Sequence, residues 1–233
     1  MPRLRRLERN ELWLLVIGLG LCALLFLFIR LAGEVMEGDT QAFDVRILRS
    51  LRTATDPARL KGPDWLESAL IDVTALGSPI VLGLVVLIIS GYLLLEARYL
   101  TAVIVLTSSS LGEIVDELLK LLFDRPRPDV VPHLRTVVSA SFPSGHAMES
   151  AIIYLTLGAL LMRVVEGRLT KIYCMAMAIF LTFIVGVSRV FLGVHYPTDV
   201  LGGWMLGFLW AAMTFLVTRR FERTVARERE QAE

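Results

Sequence analysis

Apolar residues fall along this chain in long runs rather than in narrow stripes. Six stretches, residues 12–32, 79–95, 99–119, 146–165, 172–192 and 199–218, approach the length of about 20 mostly apolar residues that a membrane-crossing helix needs. A soluble core does not require runs of this length. The pattern therefore predicts an all-α fold, a six-span transmembrane helical bundle formed as a single domain over residues 1–233, with a charged tail at 219–233. Between the first two spans, Phe43, Ile47, Leu48 and Leu51 recur at helical spacing among Asp44, Arg46, Arg49 and Arg52. That spacing describes an amphipathic helix, either lying in the membrane interface or packed on the bundle with its charges solvated. Residues 65–76 read as a second helix, capped by Asp64 and leading into the span that begins at Pro79. The segment 33–78 is thus expected to be partly helical and extracytoplasmic.

Composition narrows the function classes. The chain is 55% hydrophobic with a formal net charge of +1, too balanced for nucleic acid to be a partner. Cys22 and Cys174 both fall within predicted spans without metal-ligand spacing, so they read as small hydrophobic residues and no metal or redox cofactor is expected. The basic start precedes an apolar run that is long and lacks a small-residue cleavage site, which predicts an uncleaved first span rather than a removable leader. Gly203 and Gly207 form a small-xxx-small pair, expected to pack helices within the bundle rather than between protomers. Oligomeric state has no signature in the sequence.

Charge asymmetry orients the bundle. Lys and Arg concentrate on the cytoplasmic side of membrane proteins, and Arg3, Arg5, Arg6 and Arg9 precede the first span. Alternating six spans from a cytoplasmic N-terminus puts Arg98, the connection with Arg163, Arg168 and Lys171, and the tail from Arg219 on the same side. The loop from Phe123 to Pro143 and the turn from Gly193 to Thr198 then face outward, in the periplasmic direction for an inner-membrane protein. Lys120, Arg125, Arg127 and Arg189 break the inside-positive bias there, as a site built to hold an anion would.

Three polar clusters meet on that face. Lys120 and Arg127-Pro128 combine a point charge with a planar guanidinium fork, a pairing suited to phosphoryl oxygens. Arg125 is either a third phosphate contact or the partner of neighbouring Asp124. In Pro143-Ser144-Gly145-His146, a polar cap opens a long apolar helix, so free backbone N–H groups and the positive end of the helix dipole attract an anion. Ser144 adds a hydroxyl donor, Gly145 permits close approach, and Glu149 either tunes His146 or faces the headgroups. In the third cluster, Ser188-Arg189 is followed by His195 and, four residues later, Asp199 at a helix start marked by Pro197. That spacing predicts a hydrogen bond from His195 Nδ1 to Asp199, leaving Nε2 as a nucleophile. Arg189 within a span needs an anionic partner.

Taken together, Lys120 with Arg127-Pro128, Pro143-Ser144-Gly145-His146, and Ser188-Arg189 with His195 and Asp199 resemble the three-part signature of the type 2 phosphatidic acid phosphatase (PAP2) superfamily. The likeness covers residues 120–199. It implies that His195 attacks phosphorus to form a phosphohistidine, that Asp199 orients it, and that His146 protonates the leaving group and then activates water. Lys120, Arg127, Ser144, Gly145 and Arg189 would hold the phosphoryl oxygens. A membrane-borne site of this kind implies a lipid phosphate as substrate, of the undecaprenyl diphosphate, phosphatidylglycerol phosphate or phosphatidic acid class. Transfer of the phosphoryl group to a second lipid, or lipid binding without cleavage, are the rival readings.

Overall fold

The computed structural model describes residues 9–135 and 139–232; the arginines at positions 3, 5 and 6 lie outside them. Among the described residues the regular structure is helical: α1 (Arg9–Glu37), α2 (Gln41–Ser50), α3 (Trp65–Ala75), α4 (Pro79–Leu95), α5 (Tyr99–Phe123), α6 (Gly145–Val164), α7 (Arg168–Phe191) and α8 (Pro197–Ala232). Four of them, over Leu15–Glu37, Gly145–Val164, Arg168–Phe191 and Pro197–Phe221, are long and apolar enough to cross a membrane, and α3 with α4 forms a pair bent by 45° that qualifies as one broken span. This is fewer than the six spans expected. The difference is α5, long enough at 25 residues but carrying Glu113, Asp116, Glu117 and Lys120 in its second half.

α6 is the centre of the bundle. Ten of its 20 residues are buried, and it packs along both α7 and α8. Leu82, Val86, Ala102, Val105, Met148 and Ile152 form the main apolar cluster between α4, α5 and α6. The α6–α8 contact is close because two glycines face it. A Cβ at Gly207 would lie 2.5 Å from Ala151 Cβ and 2.6 Å from Met148 O, and one at Gly203 would lie 2.6 Å from Ser144 O. The small-xxx-small pair is thus used inside the chain, to bring the start of α8 against the start of α6. α1 lies at the edge, where Phe28 stacks on Phe142 with ring centroids 6.0 Å apart. Elsewhere Leu19, Phe26, Ile80, Leu95 and Leu121 are exposed, an apolar exterior suited to lipid rather than water.

The segment before α4 departs from its expected form. Phe43, read as part of the apolar face of α2, is 55% exposed, whereas the residues that α2 buries are Asp44 and Leu48. α2 docks on the bundle through a carboxylate, not through a continuous apolar stripe. Asp64 makes no cap bond to α3 and instead pairs with Arg59 at 2.5 Å. The break before α4 is marked by Ser78, whose hydroxyl accepts from Val81 N–H, with Pro79 at the first helical position. The side chain of Arg52 is buried and donates to the Phe191 carbonyl at 2.9 Å. That contact ties the loop after α2 to the C-terminal end of α7, where a cation complements the helix dipole.

Candidate active site

The end of α5, the loop after it, the start of α6, the end of α7 and the start of α8 meet at one end of the bundle. Lys120, on the last turn of α5, pairs with the fully buried Asp116 one turn earlier at 2.5 Å. Gly145 makes room for this ion pair: a Cβ there would lie 2.6 Å from Asp116 Oδ2 and 2.9 Å from Lys120 Nζ. The glycine therefore admits a protein ion pair to the start of α6, a constraint distinct from the close approach of a ligand that its position suggested. Glu149 turns toward α5, where its charged neighbours are Asp116, Lys120, Glu113 and Glu117, and not toward His146.

Ser144 occupies the N-cap of α6 in an extended conformation but makes no side-chain cap bond. Its hydroxyl is buried and has no protein partner, as are His146 Nε2 and Arg189 Nε. A buried polar atom without a partner costs about 1–3 kcal/mol, and three such atoms from α6 and α7 face the same end of the bundle. The Arg189 side chain is 2% exposed and donates to Thr74 Oγ1 of α3 at 2.9 Å. Among the described residues no carboxylate pairs with it. His146 lies within the electrostatic reach of Arg189, His195, Lys120 and Arg135.

His195 sits in the turn between α7 and α8 and is almost fully buried. Its Nδ1 lies 2.8 Å from the Ser141 carbonyl oxygen and 3.6 Å from Asp199 Oδ2. The expected direct bond to Asp199 is therefore replaced by one to the main chain. A carbonyl only accepts, so Nδ1 carries the proton and Nε2 the lone pair, with Arg127 NH1 donating to Nε2 at 3.1 Å. Arg127 is itself held by the carbonyls of Ser139 and Val194. Burial above all, then the cations of Arg127, Arg189 and Lys120, keep His195 well below its usual 6.5, with the Ser141 contact opposing. The ring is neutral at pH 7, with its Nε2 lone pair engaged by Arg127.

Asp199 serves the histidine at one remove. Its Oδ2 accepts from the Ser141 hydroxyl at 2.5 Å and from Tyr196 N–H at 2.8 Å, while Oδ1 accepts from Arg125 at 2.5 Å. These donors occupy the carboxylate and explain why His195 turns to the Ser141 carbonyl instead. Arg125 is neither a phosphate contact nor the partner of Asp124. It is buried, lies over the Tyr196 ring at 4.2 Å, and bridges Asp199 to Asp44 of α2, the second contact being 2.9 Å. Ser141, Asp44, Asp116 and Thr74 are thus parts of the site that the sequence pattern did not single out. Among the described residues, no three His, Cys, Asp or Glu side chains cluster as metal ligands would.

The PAP2 superfamily profile matches residues 98–223, more than half of the chain and all of the residues just described from α5 to α8. The chain belongs to the PAP2 superfamily. Phosphatidylglycerophosphatase B of Bacillus subtilis is 30% identical over 213 residues, which cover 90% of this chain and 98% of that protein. Decaprenylphosphoryl-5-phosphoribose phosphatase of Mycobacterium tuberculosis is 32% identical over 129 residues, 54% of this chain and 66% of that one. Among solved structures, the transmembrane PAP2-type phosphatidylglycerolphosphate phosphatase from Bacillus subtilis superposes with a TM-score of 0.76 at 27% identity, covering 88% of this chain and 96% of that one. Aquifex aeolicus LpxE shares the fold, with a TM-score of 0.55 at 21% identity over 74% of this chain and 94% of that one. As a PAP2 member with these relatives, the protein is a membrane lipid phosphatase, a hydrolase.

Proposed function

We propose that this PAP2 phosphatase removes a phosphoryl group from a membrane lipid through a phosphohistidine at His195, without a metal. The observation that carries the reading is the neutral His195, its Nε2 lone pair facing Arg127 beside the unpartnered Ser144 hydroxyl and Arg189 Nε. In the first step, Nε2 bonds to phosphorus as the bond from phosphorus to the lipid oxygen breaks, and His146, which takes up a second proton once the phosphate anion is bound beside it, gives that oxygen a proton. In the second, His146 takes a proton from water, whose oxygen displaces Nε2 and releases phosphate. Arg127, Lys120 and Arg189 neutralise the phosphoryl oxygens, and Ser144 with the backbone N–H at Gly145 donates to them. Asp199 fixes the Ser141 peptide that orients the ring.

The same reading takes α5 as a sixth span, with Asp116 and Lys120 turned toward the site, both termini in the cytoplasm and the site on the outer face of the inner membrane. The near full-length match to phosphatidylglycerophosphatase B makes phosphatidylglycerol phosphate the first substrate to test, followed by undecaprenyl diphosphate and phosphatidic acid. The experiment is phosphate release from each lipid by purified protein in detergent with a chelator present. We expect turnover of at least one lipid and acid-labile label on the protein from a 32P-labelled substrate. Transfer of the label to a second lipid without free phosphate would instead favour a phosphotransferase.

A further inference from the structure

We propose that Asp44 of α2, which precedes the family-matched region, is a positioning residue that keeps one negative charge in excess behind His195. The inference rests on His195 being the nucleophile. Asp44 is fully buried. Its Oδ2 accepts from Arg125 NH2 at 2.9 Å and from Thr198 Oγ1 at 2.6 Å, and its Oδ1 from Thr198 N–H at 3.1 Å. The other guanidinium nitrogen, Arg125 NH1, reaches Asp199 Oδ1 and Thr198 Oγ1. Every contact to either carboxylate comes from a donor. Two carboxylates therefore share one guanidinium, and the buried cluster carries one uncompensated negative charge while the imidazole is neutral.

That excess matters at the moment of attack. When Nε2 bonds to phosphorus and the proton on Nδ1 stays in place, the ring becomes an imidazolium. Its positive charge is then balanced through the Ser141 peptide by the Asp44–Arg125–Asp199 cluster. Were Asp44 absent, Arg125 would neutralise Asp199 alone and no charge would remain to meet the developing cation. The cations on the other side of the ring, Arg127, Arg189 and Lys120, oppose imidazolium formation, and the cluster offsets them. A buried pair exists for more than packing here, because an apolar replacement would hold α2 equally well.

The test compares the isosteric Asp44→Asn variant with Leu48→Ala, which loosens the same docked face of α2 without touching charge. Phosphatidylglycerol phosphate in detergent micelles is the probe. Asp44→Asn is expected to lose kcat by about tenfold or more, the factor that each ~1.4 kcal/mol of lost transition-state stabilisation removes, with KM little changed and slower formation of the phosphoenzyme. Leu48→Ala is expected to melt lower and keep its kcat. Wild-type kcat in Asp44→Asn, or parallel losses of kcat and stability in both α2 variants, would overturn the proposal. Turnover surviving in His195→Ala would defeat the nucleophile reading itself, a separate outcome.

Discussion

His195 reaches its role through atoms that residue type does not encode. The lysine, arginines, histidines and serine of the signature were legible because each is a polar side chain interrupting an apolar run. Ser141 was not, since it acts through its carbonyl on Nδ1, and any residue has a carbonyl. Replacing His195 with Ala is expected to abolish phosphate release while the protein still folds, and His146→Ala to be similarly inactive on a lipid alkoxide yet to trap phosphoenzyme with a good leaving group. Quench-flow with labelled substrate checks both. The buried neutral ring also sets a pH dependence of stability. Its folded pKa is depressed below the unfolded value of about 6.5, so the unfolded chain takes up the proton first and stability falls as pH drops below about 6.5, continuing to fall until the folded ring titrates. A His195→Gln variant removes this component, and thermal unfolding in detergent should show a shallower loss between about pH 6.5 and 4.5 than in the wild type. Coincident slopes would contradict it.

Helix boundaries followed from the apolar runs where composition changes sharply, and less well where it does not. α4 spans the expected 79–95 because Ser78-Pro79 starts it and Glu96 follows its last leucine. α8 runs on through the charged tail, since nothing in residues 219–232 breaks a helix. α2 was misread at its centre: a period-based reading assigns Asp44 to the solvent face, whereas the Arg125 and Thr198 donors make its burial favourable, and those donors are distant in sequence. The α6–α8 contact yields a prediction at this scale. Gly207→Val would drive a side chain into Ala151 and the Met148 carbonyl, an overpacking expected to cost about 1–3 kcal/mol. Because the same contact holds the start of α8 near Ser144, phosphate release should fall along with the melting temperature. Gly83→Ala in α4, where nothing lies within 4 Å of the added Cβ, serves as the control and should leave both unchanged.

At the scale of the whole molecule, polar chemistry and membrane insertion compete for the same helices. The site is assembled from helix ends, so its ionisable groups need not cross the bilayer, and α5 carries Glu113, Asp116, Glu117 and Lys120 in the half that leads to the site. Asp116 pairs with Lys120 within that helix and Gly145 of α6 lies against the pair, so α5 turns these two charges inward, while Glu113 and Glu117 are exposed beside Leu118, Leu121 and Leu122. A span with its charges turned to protein rather than lipid escapes a hydropathy test yet remains insertable. Counting α5 would put the arginine-rich start and tail on one side, because six crossings return the chain to the side where it began, the arrangement that the inside-positive rule favours. The consequence is measurable with single cysteines in a background lacking Cys22 and Cys174. A cysteine at the exposed Asp129, in the loop after α5, is expected to react with a membrane-impermeant thiol reagent added outside intact cells, whereas one at the exposed Glu166, between α6 and α7, should react only after lysis. Labelling of Glu166→Cys from outside with Asp129→Cys protected would mean that the site faces the cytoplasm, because α5 does not cross or because the bundle is inverted, and labelling of both positions alike would mean that α6 does not separate them.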